Sequence, residues 1–390
     1  MASKTIVLTG GGSGGHITPL LAVAAELKHH DPDMRLIYIG QTGDSLGDIP
    51  AADPNIDKTY TVRAGKLRRY HGEGLRQLLD IPTMLKNLRD AVYVLIGLWQ
   101  SWRLLRELAP DVIFIKGGFV GVPVGLAAAK LDIPYVTHDS DAIPGLANRI
   151  IARWAAVHAV ALPKEVYEYP PDKTVTTGIP LPANFELVTP ALRKQYRGEI
   201  EMPANARLLL ISGGGLGSQR INGAVLEAVP HMLREFRDLQ VIHIAGRDNE
   251  SDLRASYEHE LTEAERGRVR VYGFLTDLYR YSGAADVIIT RAGATSLADY
   301  AMQGKACIVV PSPFLTGGHQ LKNAEYLAQK QAAVVLDETD LLSDPNRLAK
   351  LTSGLLSDDA RRQELGRNLA AFAKPHAAQD LAKIILKQIR

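Results

Sequence analysis

The sequence predicts an α/β protein built as two Rossmann-like domains, each with a doubly wound parallel sheet, that face each other across a cleft. Three observations lead to this prediction. Short β-branched runs alternate with amphipathic helical patterns along the chain, which indicates parallel sheets with right-handed crossovers. Each half of the chain opens with a strand that runs directly into glycines. A length of 390 residues accommodates two such domains.

The predicted elements of the first half are strands with helical segments between them. The strands are expected at residues 5–9, 35–40, 112–116, 135–138 and 157–161. The segments 17–29 and 75–108 have the apolar periodicity of amphipathic helices. We therefore expect a first domain of residues 1–180.

After Pro190 the alternation starts again and predicts a second set of strands. They are expected at residues 208–212, 241–245, 269–272, 287–290, 308–311 and 333–336. The proline-containing stretch 180–203 is typical of a domain connection, so the second domain is expected at residues 181–372. The last helix, within residues 373–390, has one apolar face and is expected to pack back on the first domain.

Composition and charge restrict the classes of function. The net charge of +2 gives no indication of a nucleic-acid partner. The single cysteine, Cys307, excludes an internal disulfide and fits a reducing compartment, and we expect it to lie in a strand. The longest apolar run, 91–99, is about half the ~20 residues that a membrane-spanning helix needs. The apolar run 5–9 is too short for a signal peptide, so a cytoplasmic protein is expected.

The first glycine loop, Gly10-Gly11-Gly12-Ser13-Gly14-Gly15, follows a predicted strand and precedes a predicted helix. Glycines let the backbone approach a ligand, and the free N–H groups of a helix start favour an anion. The loop matches G-x-G-x-x-G, so a dinucleotide site is one alternative, although Asp44 fits the required ribose carboxylate poorly. His16 opens the helix and is either a base for an attacking hydroxyl or a polar residue that fills the helix start.

The second half contains a more specific set of candidate residues. It has its own glycine loop at 213–218, and the strand at 287–290 is followed by small residues at a helix start, which suit a diphosphate. One turn later a carboxylate suits a ribose diol, and amides on the next helix suit sugar hydroxyls. These candidates are Arg291, Ala292, Gly293, Ala294, Thr295, Asp299, His319, Gln320 and Asn323.

In the order and spacing of these motifs, the chain resembles the MurG family of peptidoglycan glycosyltransferases, which have the GT-B fold. The resemblance covers nearly the whole chain and includes the further segments 65–70, 117–123, 138–148 and 178–180. It implies an inverting, metal-independent hexosyltransferase without a cofactor. The implied reaction moves N-acetylglucosamine (GlcNAc) from UDP-GlcNAc to the 4-hydroxyl of the muramoyl sugar of lipid I, which forms lipid II.

The resemblance implies a donor site in the second domain and an acceptor site in the first. His16 corresponds to the general base. The residues expected at the acceptor and its diphosphate are Ser13, Gly14, Gly15, His138 and Asp141. The residues expected at UDP-GlcNAc are Ser218 as a substitute phosphate ligand, Leu275 at the uracil, Arg291, Ala292, Gly293, Ala294 and Thr295 at the pyrophosphate, Asp299 at the ribose, and His319, Gln320 and Asn323 at the sugar.

The chain departs from the family pattern at residues 138–141, 178–182 and 213–217, and at Asp299, where the family has glutamate. Two alternatives therefore stay open: a transferase of the same fold with another lipid or sugar acceptor, and an inactive nucleotide-sugar-binding partner. A UDP-sugar 2-epimerase shares the fold but needs no lipid-facing surface. Asp139-Ser140-Asp141 has the spacing of a metal motif but lies in the first domain, so we interpret it as acceptor-side or structural and expect no metal at the donor.

Residues 61–106 carry an excess of basic side chains interleaved with leucine and tryptophan. Such a surface attracts anionic headgroups and inserts shallowly into a bilayer. We therefore expect a peripheral protein on the inner face of the cell membrane, with contacts from Arg68, Arg69, Arg76 and Lys86. The alternative is a solvated face over a buried helix. The expected partners are UDP-GlcNAc, a lipid-linked muramoyl-peptide acceptor and an anionic membrane surface, without nucleic acid.

Overall fold

The structure is a computed structural model that describes residues 4–65, 81–215, 217–313 and 318–389, with the backbone alone for residues 81–86, 342 and 345. The chain divides into two compact units. One consists of Met1–Ala183 together with Lys374–Arg390, and the other is Asn184–Ala373. Each unit contains one parallel sheet with helices on both faces, which confirms the predicted fold class.

All the described strands pair in parallel. In chain order they are β1 (Thr5–Thr9), β2 (Arg35–Gln41), β3 (Lys58–Val62), β4 (Val112–Ile115), β5 (Tyr135–Asp139), β6 (Val157–Val160), β7 (Thr174–Thr176), β8 (Arg207–Ser212), β9 (Leu239–Ile244), β10 (Val269–Tyr272), β11 (Val287–Thr290), β12 (Ala306–Val309) and β13 (Val334–Val335). The first sheet has the order β3-β2-β1-β4-β5-β6-β7 and the second β10-β9-β8-β11-β12-β13. The strand order therefore reverses between β1 and β4 and between β8 and β11, and open α/β sheets bind ligands at the carboxyl ends of such strand pairs.

The helices cover both faces of each sheet. In chain order they are α1 (Gly14–His30), α2 (Asp48–Ala52), α3 (Ile81–Leu108), α4 (Gly121–Lys130), α5 (Leu146–Ile151), α6 (Pro190–Glu199), α7 (Gln219–Glu235), α8 (Glu250–Glu260), α9 (Glu263–Arg266), α10 (Leu278–Ala284), α11 (Ala294–Gln303), α12 (His319–Gln329), α13 (Glu338–Ser343), α14 (Pro345–Ser357), α15 (Asp359–Ala370) and α16 (Ala377–Leu386). On the first sheet, α1 and α16 share one core, and α3 and α4 share the other. On the second sheet, α7, α8 and α14 cover one face, and α10, α11 and α12 the other.

The predicted strands are present, with ends that differ by one or two residues, and the helix predicted at 17–29 begins earlier, at Gly14. Two strands, β3 and β7, were not predicted. They are the edges of the first sheet, and most of their side chains are exposed or half-buried, so they lack the apolar run that marks an interior strand. Of the helix predicted at 75–108, the structure describes α3 from Ile81 onwards.

The C-terminal helix α16 packs on α1 in the first unit, as its apolar face predicted. Leu381 and Ile385 have no exposed surface there. The Cys307 thiol is buried within β12, which confirms its predicted place in a strand. Over the segments that the structure describes, no helix is long and apolar enough to cross a membrane.

Candidate active site

The loop between β1 and α1 is held by a carboxylate from the loop between β2 and α2. The backbone N–H of Gly12 donates to Asp44 Oδ2 at 2.7 Å. A Cβ at Gly11 would lie 2.8 Å from the same oxygen, so glycine is the residue that lets Asp44 approach the loop. Asp44, which sequence reasoning weighed only as a ribose ligand, thus supports the loop that carries Ser13 and His16.

The side chain of His16 is oriented by its own loop. Its Nδ1 lies 2.9 Å from the carbonyl oxygen of Gly11 and 3.1 Å from Ser13 Oγ. Because a carbonyl oxygen only accepts, Nδ1 carries the proton, and Nε2 is left with its lone pair. Burial, and next the charge of Lys116, lower the pKa of His16 to about 4. The ring is therefore neutral at physiological pH and can accept a proton at Nε2.

The loop after β4 packs directly against the first glycine loop. Gly117 and Gly118 have φ angles of 115° and 79°, in the region that favours glycine. A Cβ at Gly118 would lie 2.7 Å from the carbonyl oxygen of Gly11, and one at Gly117 would lie 3.6 Å from His16 Nε2. Gly118 therefore leaves room for the orienting carbonyl, whereas at Gly117 the positive φ and not the available space favours glycine.

Lys116, at the end of β4, was not predicted as a site residue. Its side chain is buried, and Nζ donates to Ser140 Oγ at 2.7 Å. Burial lowers the pKa of Lys116 to about 8. The sequence signal that could have identified it is a lysine at the end of an otherwise apolar strand, next to the paired glycines.

The segment after β5 is held in place by buried polar groups. His138 has no exposed surface, and its Nε2 lies 2.8 Å from the carbonyl oxygen of Gly178. The Asp139 carboxylate accepts from the Gly145 N–H and the Tyr169 hydroxyl, both at 2.9 Å, and burial raises its pKa. The predicted acceptor residue His138 is therefore buried against the Gly178 carbonyl instead of facing solvent, and Asp139 is the residue that supports the loop carrying Asp141.

The second unit brings two helix N-termini together at the reversal of its strand order. Ser218 is the N-cap of α7 and Gly293 the N-cap of α11, and these helices follow the neighbouring strands β8 and β11. Arg291 Nη2 donates to Ser218 Oγ at 2.7 Å and so connects the two loops. Two positive helix ends and a guanidinium form a site suited to a diphosphate. The predicted residues 291–295 and Ser218 therefore lie together.

Asp299 lies in the second turn of α11 and is 8% exposed. Among the residues that the structure describes, its Oδ1 has no hydrogen-bond partner. Burial raises the pKa of its carboxyl group well above the usual value. An unpaired buried carboxylate oxygen is costly, and it fits a group that accepts hydrogen bonds from a ligand.

The amides of α12 brace the loops on either side of them. Gln320 Oε1 accepts from the Ser312 N–H at 2.9 Å, and Asn323 Nδ2 donates to the Ala292 carbonyl oxygen at 3.0 Å. Both side chains are buried, and His319 begins the same helix. Leu275 is part of the apolar cluster on this face of the sheet. Of the predicted sugar residues, Asn323 thus contacts the loop that carries the predicted pyrophosphate residues, and Gln320 contacts the loop after β12.

The four basic residues predicted at the membrane fall outside what the structure describes. Arg68, Arg69 and Arg76 lie outside the described ranges, and of Lys86 only the backbone is described. The described part of α3 has an exposed apolar stripe with helical spacing. It consists of Leu88, Val92, Leu95 and Trp99, which are 66%, 47%, 66% and 59% exposed. Arg89, Arg103 and Arg106 lie on the same helix.

Comparison with known proteins identifies both halves of the chain. Residues 6–160 match the glycosyltransferase family 28 N-terminal domain, and residues 208–381 match the family 28 C-terminal domain. A curated relative from Natranaerobius thermophilus, named UDP-N-acetylglucosamine–N-acetylmuramyl-(pentapeptide) pyrophosphoryl-undecaprenol N-acetylglucosamine transferase, is 30% identical over 97% of this chain and 98% of its own length. A relative of the same name from Moorella thermoacetica is 32% identical over 98% of this chain and 99% of its own.

A solved structure agrees with these relatives. The crystal structure of Acinetobacter baumannii MurG is 25% identical in sequence and superposes with a TM-score of 0.69. The match covers 98% of this chain and 99% of that one. The resemblance predicted from the motifs is therefore confirmed over the full length. The chain belongs to the MurG family of family 28 glycosyltransferases.

Proposed function

We propose that this glycosyltransferase moves GlcNAc from UDP-GlcNAc to the 4-hydroxyl of the muramoyl sugar of lipid I and so forms lipid II for peptidoglycan synthesis. The observation that carries the proposal is the similarity, over 97–98% of the chain, to curated relatives named for this transfer. Both units of such an enzyme are present, and each has its polar residues at the reversal of strand order.

In the proposed mechanism, His16 Nε2 takes the proton of the attacking hydroxyl. The hydrogen bond from Nδ1 to the Gly11 carbonyl oxygen, at 2.9 Å, fixes the tautomer and the direction of the ring. The attack occurs on the face of the anomeric carbon opposite UDP, so the configuration inverts. A neutral ring supports this role because only the neutral form can accept the proton.

The leaving UDP gains negative charge in the transition state. We assign its stabilisation to the N-termini of α7 and α11 and to Arg291, whose hydrogen bond to Ser218 fixes its position beside the start of α7. The unpaired Oδ1 of Asp299 is assigned to the ribose hydroxyls.

The proposed chemistry is tested by transfer of radiolabelled GlcNAc to lipid I with a His16→Ala variant. Turnover should fall about 10²–10⁴-fold, the usual loss for a missing general base, while UDP affinity stays the same. His30→Ala, in the last turn of the same helix, is the matched control and should keep wild-type turnover. Wild-type turnover in the His16 variant would contradict the base assignment. Faster transfer to another acceptor than to lipid I would favour the alternative of a different substrate.

The finer proposal is that the enzyme binds the membrane surface that carries its lipid-linked acceptor. The exposed stripe Leu88, Val92, Leu95 and Trp99 supports it, because apolar side chains next to arginines suit an anionic bilayer surface. The guanidinium of Arg103 lies over the Trp99 ring at 6.0 Å and that of Arg106 over the Trp102 ring at 4.7 Å. On this helix, a guanidinium therefore lies directly next to each of these two tryptophan rings.

The membrane proposal is tested by co-sedimentation with anionic vesicles. Replacing Leu88, Leu95 and Trp99 with serine should lower the bound fraction steeply while UDP affinity is kept. Leu187→Ser is the control, because Leu187 is equally exposed but lies in the second unit. Replacing Arg68, Arg69, Arg76 and Lys86 with glutamine should lower binding most at low salt, since each charge contributes about 1 kcal/mol near the surface. A wild-type protein that stays in the supernatant at low salt would overturn the proposal.

A further inference from the structure

A buried glutamate that belongs to none of the sequence motifs contacts both the loop between β11 and α11 and the start of α7. Glu338 is the first residue of α13, and its side chain is 2% exposed. Its Oε1 accepts from Arg291 Nη2 at 2.7 Å, and its Oε2 accepts from Arg220 Nη1 at 3.1 Å. One carboxylate thus bridges an arginine at the start of α7 and an arginine in the loop between β11 and α11.

Arg291 is held by neighbours from three separate segments of the second unit. Besides the ion pair with Glu338, its Nη2 donates to Ser218 Oγ at 2.7 Å and its Nη1 to the Val310 carbonyl oxygen at 3.2 Å. Its side chain is 11% exposed. The guanidinium therefore has one defined position, between the start of α7 and the end of β12.

The chemical reason for a carboxylate at this place is the excess of positive charge around it. Arg291, Arg220 and the N-termini of α7 and α11 all repel one another electrostatically. The Ser218 hydroxyl and the Val310 carbonyl are neutral and are weaker partners for a guanidinium than a carboxylate is. With two arginines and one carboxylate, the cluster keeps a net positive charge that can attract an anion.

We infer that Glu338 is a positioning residue of the donor site, which holds Arg291 against Ser218 in the arrangement that binds the diphosphate of the nucleotide. Glu338 acts through Arg291 and does not itself touch the nucleotide. The inference rests on the proposed function, because it takes the diphosphate to bind at the N-termini of α7 and α11. It adds to the donor site a residue from α13, the helix that follows β13.

The test compares two substitutions that separate geometry from charge. Glu338→Gln keeps the length of the side chain and loses its charge, whereas Glu338→Asp keeps the charge and is too short to reach both arginines. Calorimetry should show UDP affinity about 10-fold or more weaker in both variants, the scale of a lost charge-assisted hydrogen bond. Competition by uridine, which lacks phosphates, should be unchanged. Asp340→Asn is the control, because Asp340 lies on the same helix as Glu338 but its exposed carboxylate pairs with Arg347 of α14.

Each outcome of the comparison decides a different claim. Equal losses for UDP and uridine would mean that Glu338 only stabilises the fold. Wild-type affinity in Glu338→Asp, or tighter UDP binding in Glu338→Gln, would mean that its charge and not its position matters. Either result overturns the inference. A wild-type protein that does not bind UDP would instead contradict the proposed function.

A double variant keeps the test valid if the single variants fail to fold. Removing one partner of a buried ion pair is strongly destabilising, whereas removing both charges is often tolerated. The double variant Arg291→Gln/Glu338→Gln should therefore fold, and in Arg291→Gln the Glu338 carboxylate keeps Arg220 as a partner. Both variants should bind UDP equally weakly, because Glu338 acts through Arg291. A further loss of UDP affinity in the double variant would show that Glu338 acts by another route and would overturn the inference.

Discussion

Removal of the Asp299 carboxylate is expected to weaken nucleotide binding and, at the same time, to stabilise the unliganded protein. Asp299 is 8% exposed, and its Oδ1 has no hydrogen-bond partner within the described residues. An unpaired buried polar group costs about 1–3 kcal/mol of folding free energy. The same oxygen gains partners when ribose hydroxyls occupy the site. The effects of Asp299→Ala on stability and on affinity should therefore have opposite signs.

The expected magnitudes follow from these contacts. A lost hydrogen bond at a buried polar group costs about 1–3 kcal/mol, which makes UDP binding roughly 5- to 150-fold weaker. Without UDP, the variant avoids the cost of the unpaired carboxylate, and alanine is also the better helix former inside α11. For a unit of 150–250 residues, about 1 kcal/mol shifts the melting temperature by about 2–4 °C. The Tm of the unliganded variant should therefore rise by a few degrees.

The pH dependence of the stability gain provides an independent check. Burial raises the pKa of the Asp299 carboxyl group well above its usual value, so the fold favours the protonated form. The stability that this group contributes is present below its unfolded pKa of about 4 and is lost as the pH rises through the folded pKa. The difference in unfolding free energy between Asp299→Ala and wild type should therefore grow as the pH rises above about 4.

Calorimetry measures both quantities on the same samples, by titration with UDP and by thermal unfolding without it. Asp340→Ala is the control, because that carboxylate is exposed and paired with Arg347. It should leave UDP affinity unchanged. Equal UDP affinity in Asp299→Ala and wild type would refute the ribose assignment. A lower Tm that does not depend on pH would refute the reasoning about the unpaired carboxylate.

The remaining predictions concern the first unit. Burial and the charge of Lys116 lower the pKa of His16 to about 4, so kcat/KM should fall at acid pH with an apparent pKa near 4. A pH–rate profile in which kcat/KM falls with an apparent pKa near 6.5 would contradict this. The unfolded imidazole titrates near 6.5, so stability should also fall as the pH drops from about 6.5 to about 4. Gly118→Ala should lose about 1–3 kcal/mol in urea unfolding, because the new Cβ would lie 2.7 Å from the Gly11 carbonyl oxygen at a positive φ. Gly223→Ala, where a Cβ meets no atom within 4 Å, should not be destabilised.

The fold was predictable because its signals are local. Interior strands such as β1 and β11 are short apolar runs that end in glycine or small residues, and α16 has a clear apolar face. The same logic failed for β3 and β7. Each is an edge strand that pairs with one neighbour, β3 with β2 and β7 with β6, and buries few side chains. These strands are therefore defined by hydrogen bonds to that neighbour and not by an apolar pattern.

The site was predictable as a set of loops but not as a set of contacts. The glycine loops and Asp299 lie at fixed distances from strand ends, so sequence spacing was enough to find them. Glu338 lies 47 residues after Arg291 in the chain, and only the order of strands in the second sheet brings the two side chains to 2.7 Å. Lys116 and Asp44 likewise act on the first glycine loop from other strands. Which of these side chains meet is determined by the order of strands in the sheet, and the spacing of residues in the sequence does not reveal that order.

Both glycine loops connect a strand to the N-terminus of a helix, but the charges around them differ. This difference supports the second unit as the donor site. In the first unit, the N–H of Gly12 is already occupied by the Asp44 carboxylate, which places a negative charge where a dinucleotide diphosphate would bind. In the second unit, the loops end at Ser218 and Arg291, and the only carboxylate that contacts Arg291 among the described residues is shared with Arg220. A nucleotide diphosphate therefore meets an N–H at Gly12 that is already occupied in one unit and a net positive loop in the other. The G-x-G-x-x-G match alone would have favoured the first loop, and the charges favour the second.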